Sequence, residues 1–315
     1  MNDQKARIEL WQRLLEPSSL ELLEETAGGD PREVSWIQGL RERWGGELAA
    51  AALELAGARR RAAKKFPDFP GLVADIAGVE QATGALTARH KAERFARLSP
   101  ARIQDLCCGI GGDALALASV SPTRAVDIDP LRAWMCGENL RQAGLDASCR
   151  CEDVETLALE GEVVHLDPSR RETDRQGRGR GRRAWNYSDY RPGPGFIAEL
   201  LERNPDFAVK LGPGIDVGEL PSLDRMEVEF IQESGRLVQA VLWGGRLAEN
   251  PGGHTASLLP EGAQVSGLPG PPPCEPAQHW IIGSSFRRPR SSGRAWRGAW
   301  VKNTACGRWP SGSGS

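Results

Sequence analysis

Asp105-Leu106-Cys107-Cys108-Gly109-Ile110-Gly111-Gly112-Asp113 is the stretch that decides the fold. Arg102 to Cys107 enters it as a short apolar strand, and Asp113 to Val120 leaves it as an alanine- and leucine-rich helix. Between them the glycines let the backbone turn sharply and approach a ligand with no Cβ in the way. Such a loop opens a nucleotide-binding strand–helix unit, a device shared by several families of adenosine-bearing cofactor.

Three acids narrow that choice. Asp105 stands just before the turn, and the glycine spacing is not G-x-G-x-x-G. A pyrophosphate would be repelled by that carboxylate, whereas the amino group of a methionine moiety would be held by it, directly or through water. The next strand ends in Ala125-Val126-Asp127-Ile128-Asp129-Pro130, about 20 residues after the loop, where a carboxylate can accept from both ribose hydroxyls. Asp127 is the better placed for this, and Asp129 before Pro130 also suits a helix cap. After the third strand, Asp153 in Cys151-Glu152-Asp153 can receive an adenine amino group. The cofactor-binding set is therefore Asp105, Cys107, Gly109, Gly111, Gly112, Asp127, Asp129 and Asp153, the opposing reading being acids that only cap helices.

Working outward, short apolar runs alternate with helical stretches from about residue 86. Strands are predicted at 102–107, 124–128, 147–151, 163–166 and 207–211, with helices at 87–98, 113–120, 131–143 and 195–203. Such alternation implies parallel crossovers and a doubly wound α/β sheet. Two further runs, Glu227–Gln232 and Leu237–Trp243, flank Glu-Ser-Gly-Arg, a hairpin signal that brings the strands to seven. Before all this, residues 1–84 read as a helical domain: Trp11, Leu14 and Leu15, then Val34, Ile37, Leu40 and Trp44, recur at helical spacing. Its alanine-rich run ends in Arg59-Arg60-Arg61 and Lys64-Lys65, read either as a solvated helix end or as a nucleic-acid contact. The sheet domain is placed at 85–248. Residues 249–315, rich in Pro, Gly, Ser, Arg and Trp, read as an irregular tail, disordered or translated out of frame; from Phe286 on it has seven basic residues and no acidic one.

With 40% hydrophobic residues the chain can build a core, and its net charge of −2 makes no whole-chain argument for nucleic acid. The N-terminus lacks the pattern of a secretory signal, and no run approaches the length of a membrane span. Seven scattered cysteines fit free thiols in a reducing compartment, so a cytoplasmic protein is expected. Their spacing matches no zinc pattern, so no metal is expected either.

The sequences DLCCGIGGD and AVDIDP resemble the class I S-adenosylmethionine-dependent methyltransferases. Within them the chain is similar to the cap-guanine N2 (trimethylguanosine synthase-like) group and to bacterial methyltransferases with a THUMP-like C-terminal domain. The resemblance covers about residues 60–245; the THUMP-like portion is not recognisable. It implies a Rossmann-like seven-stranded methyltransferase sheet with a closing hairpin, and S-adenosyl-L-methionine as cofactor. It also places Asp167-Pro168-Ser169-Arg170, at the end of the fourth strand, where amino-methylating enzymes carry a tetrad of the type (Asp/Asn/Ser)-Pro-Pro-aromatic. Asp167 and Pro168 would hold the attacking amine, while Ser169 and Arg170 depart from the pattern and remove the aromatic that stacks on a base. A guanidinium can stack too, and Trp185, Tyr187 and Tyr190 follow.

Residues 170–183 carry seven arginines against two acids, which suits a phosphate-binding lid. Arg182, Arg183, Trp185, Tyr187, Tyr190 and Lys210 complete the substrate-binding set, with RNA as the expected partner and no membrane. Small-molecule or protein methylation on the same fold, and a non-catalytic cofactor- or RNA-binding module, stay open.

Overall fold

The computed structural model describes residues 2–159, 161–170 and 186–268. The arginine-rich run from 171, Trp185 and everything after 268 lie outside the described residues, among them Arg182 and Arg183. Met1–Leu268 forms one compact unit.

Five helices come first: α1 (Asn2–Leu14), α2 (Leu20–Gly28), α3 (Val34–Trp44), α4 (Gly46–Ala62) and α5 (Ile76–Gln81). The helical spacing read in the sequence puts Trp11, Leu14 and Leu40 into one core with Leu22. Val34 alone of the second set stays largely exposed. Ala49, Ala52, Leu55 and Ala58 line the inner face of α4, where small side chains let neighbouring helices approach closely. This core continues into Ile110 of the glycine loop and into Leu131 and Met135 of α8 (Pro130–Gln142), so no packing gap follows residue 84. The basic cluster is split: Arg60, Arg61 and Lys64 stay exposed, while Arg59 and Lys65 turn inward. Arg59 donates to the carbonyls of Gly71 and Leu72, and Lys65 to those of Val79 and Ala82, which satisfies loop carbonyls that burial would orphan.

Beyond α6 (Ala85–Leu98) the chain winds a sheet. Its strands are β1 (Ile103–Leu106), β2 (Thr123–Asp127), β3 (Ala147–Cys151), β4 (Val163–Leu166), β7 (Phe207–Leu211), β8 (Met226–Glu233), β9 (Arg236–Gly244), β10 (His254–Leu259) and β11 (Ala263–Gly267). α7 (Gly112–Ala118), α8 and α9 (Pro194–Arg203) connect them, and β5 (Ser169–Arg170) pairs apart with β6 (Tyr190–Arg191). The strand order is β11-β10-β8-β9-β7-β4-β1-β2-β3, parallel from β3 to β7. The hairpin β8–β9 turns at Ser234-Gly235, with φ of 50° and 81°, the two positive values that a tight hairpin matched to the sheet twist requires.

Two expectations are corrected. The sheet has nine strands, not seven, and residues 249–268, the described part of the expected tail, are not irregular: they add β10, parallel to β8, and then β11. The reason lies in side chains. The inward positions of β10 are Thr255, Ser257 and Leu259, two of them polar. They face buried acids on β8: Thr255 donates to Glu227 and Ser257 to Glu229.

α6 supplies the rest of that polar layer. Thr87 donates to Glu233, His90 lies 2.6 Å from Glu229, and Arg94 donates to Glu227 at 3.0 Å while covering the Trp243 ring at 4.4 Å. Ala88, Ala92 and Phe95, on the same buried side, meet Trp243 and Val241. Residues 87, 91, 94 and 98 recur at helical spacing, so one helix carries both ionic and apolar contacts to the sheet.

Candidate active site

In the sheet order, β1 leads outward to β2 and β3, then the chain crosses back to β4. The crevice between the ends of β1 and β4 is the topological switch point, where open α/β sheets bind ligands. The glycine loop leaves β1 there and Asp167 leaves β4, its N–H donating to the Leu106 carbonyl at 3.0 Å. A cavity of about 450 Å³ lined by Leu98–Arg102, Gly161–Val163 and Arg246 lies at the opposite, N-terminal ends of those strands. It is remote from these residues.

The glycines divide by task. Gly109 has φ +58°, and a Cβ there would meet nothing within 4 Å, so the backbone borders open space. Gly111 (φ +91°) backs onto the Cys136 sulfur, where a Cβ would sit at 3.0 Å, and a Cβ on Gly112 would lie 2.7 Å from the Thr83 carbonyl. These two are required by the protein's own packing. Cys107, also at positive φ (59°), is half-buried. Asn139 of α8 donates to the carbonyls of Ile110 and Val73 and accepts from Val73 N–H, clamping the loop. Sequence reasoning missed Asn139, since a polar residue in a helix carries no sign of what lies opposite.

Of the acids, Asp127 is half-buried and braces the loop: one oxygen accepts from Gly109 N–H at 2.7 Å, the other from Asp129 N–H at 2.9 Å. Burial pushes its pKa up against those two donors. Asp129 caps α8 through the N–H groups of Leu131 and Arg132, and exposed Asp153 caps a short 3-10 turn through Glu155. Ile128, between Asp127 and Asp129, is 66% exposed, an apolar face beside the carboxylates that the sequence reading passed over.

Asp105 departs from its expected place. It is fully buried, with no open path to an amine, because it pairs with His165 at 2.7 Å. Lys91 lies 2.9 Å from the other nitrogen of that ring and 2.7 Å from Asp113, which also accepts from Thr83 at 2.6 Å. Lysine can only donate, so the ring hydrogen sits on Nδ1 and points to Asp105. Two carboxyl groups thus face one lysine below the loop, and Asp105 Oδ2 is buried without a partner among the described residues. Burial pushes Asp105 up; at Asp113 burial is outweighed by the Lys91 ammonium, with Lys210 adding to it, which holds it well below the carboxylate range.

At the end of β4, Asp167 is half-buried and Lys210 of β7 donates to its Oδ2 at 2.6 Å. Burial disfavours the Lys210 charge, but Asp167 and Asp113 outweigh it and raise its pKa. Lys210 is therefore tied to Asp167, which the sequence left open. Pro168 is buried and Ser169 is exposed. Arg170 pairs through its backbone with Tyr190 in the β5–β6 ladder.

That ladder overturns two substrate residues. It folds the segment back so that Tyr187 and Tyr190 enter the core with Ile197, Val209 and Leu211, leaving neither ring as a stacking platform. The Tyr190 hydroxyl accepts from Gly212 N–H at 2.6 Å, and burial pushes Tyr187 up to about 12.

Among the described residues no helix is long and apolar enough to cross a membrane. No family model matches the chain. Two uncharacterized S-adenosylmethionine-dependent methyltransferases of Mycobacterium tuberculosis, from strains CDC 1551 / Oshkosh and ATCC 25618 / H37Rv, are each 35% identical over 256 residues, 77% of this chain and 67% of theirs. A structure from Porphyromonas gingivalis W83, solved under the name of a methyltransferase, superposes with a TM-score of 0.52 at 19% identity, over 72% of this chain and 57% of its own.

Proposed function

This chain belongs to the S-adenosylmethionine-dependent methyltransferases, and from that premise we propose that it methylates an exocyclic amine or ring nitrogen of an RNA base. The observation that carries the amine reading is Asp167-Pro168, standing at the end of β4 across the switch point from the glycine loop.

S-adenosylmethionine, when bound, supplies a methyl group on a sulfonium, and the residues present fit it. Gly109 leaves backbone open to a ligand, and a loop backed by two carboxyl groups, Asp105 and Asp113, suits an ammonium better than a phosphate. Asp127 keeps lone pairs for the ribose hydroxyls beyond its two backbone donors. Ile128 covers an adenine face, and Asp153 receives the adenine amino group. Asp129 acts at one remove, fixing α8 and, through its N–H, the Asp127 carboxylate.

Methyl transfer to nitrogen needs alignment more than acid–base help. The acceptor amine donates to the Asp167 carboxylate and the Pro168 carbonyl, which aims its lone pair and stabilises the positive charge building on it. Lys210 holds Asp167 by one oxygen and leaves the other for the acceptor. Arg170, Arg182, Arg183 and Trp185, with the arginines between, supply phosphate and base contacts; the charge of that run and the loop's resemblance to the cap-guanine N2 group support RNA.

Three results test this. Asp127→Ala should weaken S-adenosylhomocysteine binding by about tenfold or more, the loss of a charge-assisted hydrogen-bond pair. Calorimetry that finds the affinity unchanged removes Asp127 from the ribose. For the acceptor, nucleoside mass spectrometry of RNA from cells with and without the gene should show one methylated base missing. RNA binding should fall steeply with salt, and neutralising Arg178, Arg180, Arg182 and Arg183 should flatten that slope. The burial of Tyr187 and Tyr190 favours a second reading, a small-molecule acceptor, which an unchanged nucleoside profile and no salt dependence would select.

A further inference from the structure

Three cysteines that are scattered in sequence meet behind the glycine loop. Cys108 follows β1, Cys136 lies in α8, and Cys149 in β3, and their sulfurs all lie within 4.8 Å of one another. Cys108 and Cys149 sulfurs are 3.7 Å apart. Cys136 is fully buried, Cys108 is 8% exposed, and Cys149 is half-buried, so the group is closed on one side and reachable on the other.

Apolar packing alone does not call for this arrangement. Buried cysteines act as small hydrophobes, and the neighbours Ala114, Ala118, Ala125 and Leu140 form such a core. Three sulfurs turned to one point do more than fill space. A thiophilic cation with bonds of about 2.3 Å sets its sulfurs roughly 3.8 Å apart in a tetrahedral shell and about 4.0 Å in a trigonal one. The Cys108–Cys149 separation already has that length.

We propose that Cys108, Cys136 and Cys149 form a three-thiolate site for a soft d10 cation, with Zn2+ as its divalent occupant. Binding displaces three thiol protons and forms three metal–sulfur bonds, with no change of oxidation state. Three thiolates and Zn2+ leave one negative charge, and the fourth position takes a neutral exogenous ligand on the open Cys149 side. With no carboxylate or imidazole in the group, sulfur alone sets the preference, for Zn2+, Cd2+ or Cu+ over Mg2+ or Ca2+.

The site has a consequence for the loop. Cys108 precedes Gly109, and Gly111 packs directly on the Cys136 sulfur. A bound ion would tie the cofactor loop to α8 and β3 at once, so the metal would tighten S-adenosylhomocysteine binding. The site itself does not depend on which acceptor the enzyme methylates.

The test uses the full, reduced chain with Zn2+ and, as a spectroscopic probe, Cd2+. One ion per chain is expected, with a thiolate-to-Cd2+ charge-transfer band in the ultraviolet. X-ray absorption of the Zn2+ form should show three sulfur neighbours at about 2.3 Å. Cys136→Ser and Cys149→Ser should each weaken Zn2+ by roughly a hundredfold or more. Replacing Cys107, Cys151, Cys274 and Cys306 together by Ser should leave binding intact. No binding at micromolar Zn2+, or fewer than three sulfurs in the absorption data of the unaltered chain, overturns the proposal without recourse to any variant. So does binding that follows the four outer cysteines instead.

Discussion

Asp167→Ala is expected to lose about 10²–10³-fold in methyl transfer while binding S-adenosylhomocysteine within a fewfold of the parent chain. The magnitude is that of removing one preorganised polar group from the charge that develops in a transition state. The split follows from position. Asp167 leaves β4 on the far side of the switch point from Gly109 and Asp127, and its contacts are the Leu106 carbonyl and Lys210. Nothing in the loop rests on its carboxylate. Asp167→Asn keeps an acceptor oxygen without the charge, so it should fall between the two. The Lys210 ammonium, left without its partner, still feels Asp113, so it should not disrupt the fold. Single-turnover methyl transfer beside calorimetry separates the effects. Equal turnover in Asp167→Ala and the parent chain would remove Asp167 from the reacting amine, whatever the acceptor proves to be.

Residues that place this site were legible where local backbone demands are strict. Gly109 and Gly111 need positive φ, and the strand–turn–helix pattern around them has few alternatives. Asp127 and Asp167 were legible because each ends a short apolar run, and strand ends are where this class of sheet keeps its ligands. What stayed hidden depends on partners far away in the chain. β10 reads as polar because its buried face serves Glu227 and Glu229, and no period-2 apolar signal survives that. Tyr187 and Tyr190 read as exposed aromatics beside an arginine-rich run, but the β5–β6 pairing turns them inward. The three sulfurs come from three elements, so no spacing rule joins Cys108, Cys136 and Cys149. Asp105 shows the same limit at closer range: its position was read correctly as a strand end, but its partner, His165, lies on another strand.

That partner belongs to a network whose disruption should have the largest effect on stability. Lys91→Met is expected to destabilise the fold by about 3–5 kcal/mol, the range for breaking a buried ion pair from one side. Lys91 is 1% exposed, and it is the cation in contact with Asp113 and with the imidazole that orients on Asp105. Methionine fills a similar volume, so a cavity contributes little, and the loss reports the charge left behind at Asp113. Adding Asp113→Asn removes that charge, and the double variant should recover much of the stability, a coupling that independent surface sites would not show. Urea midpoints of the parent, both single variants and the double variant close the cycle. A loss below about 1 kcal/mol for Lys91→Met would mean that Asp113 is stabilised without its lysine. The same network lies under the glycine loop through Asp105 and Asp113 and under Asp167 through His165 two residues earlier. Its fourfold pairing of α6, β1, α7 and β4 therefore holds the two halves of the site at one fixed separation, and methyl transfer, an in-line displacement, depends on that separation.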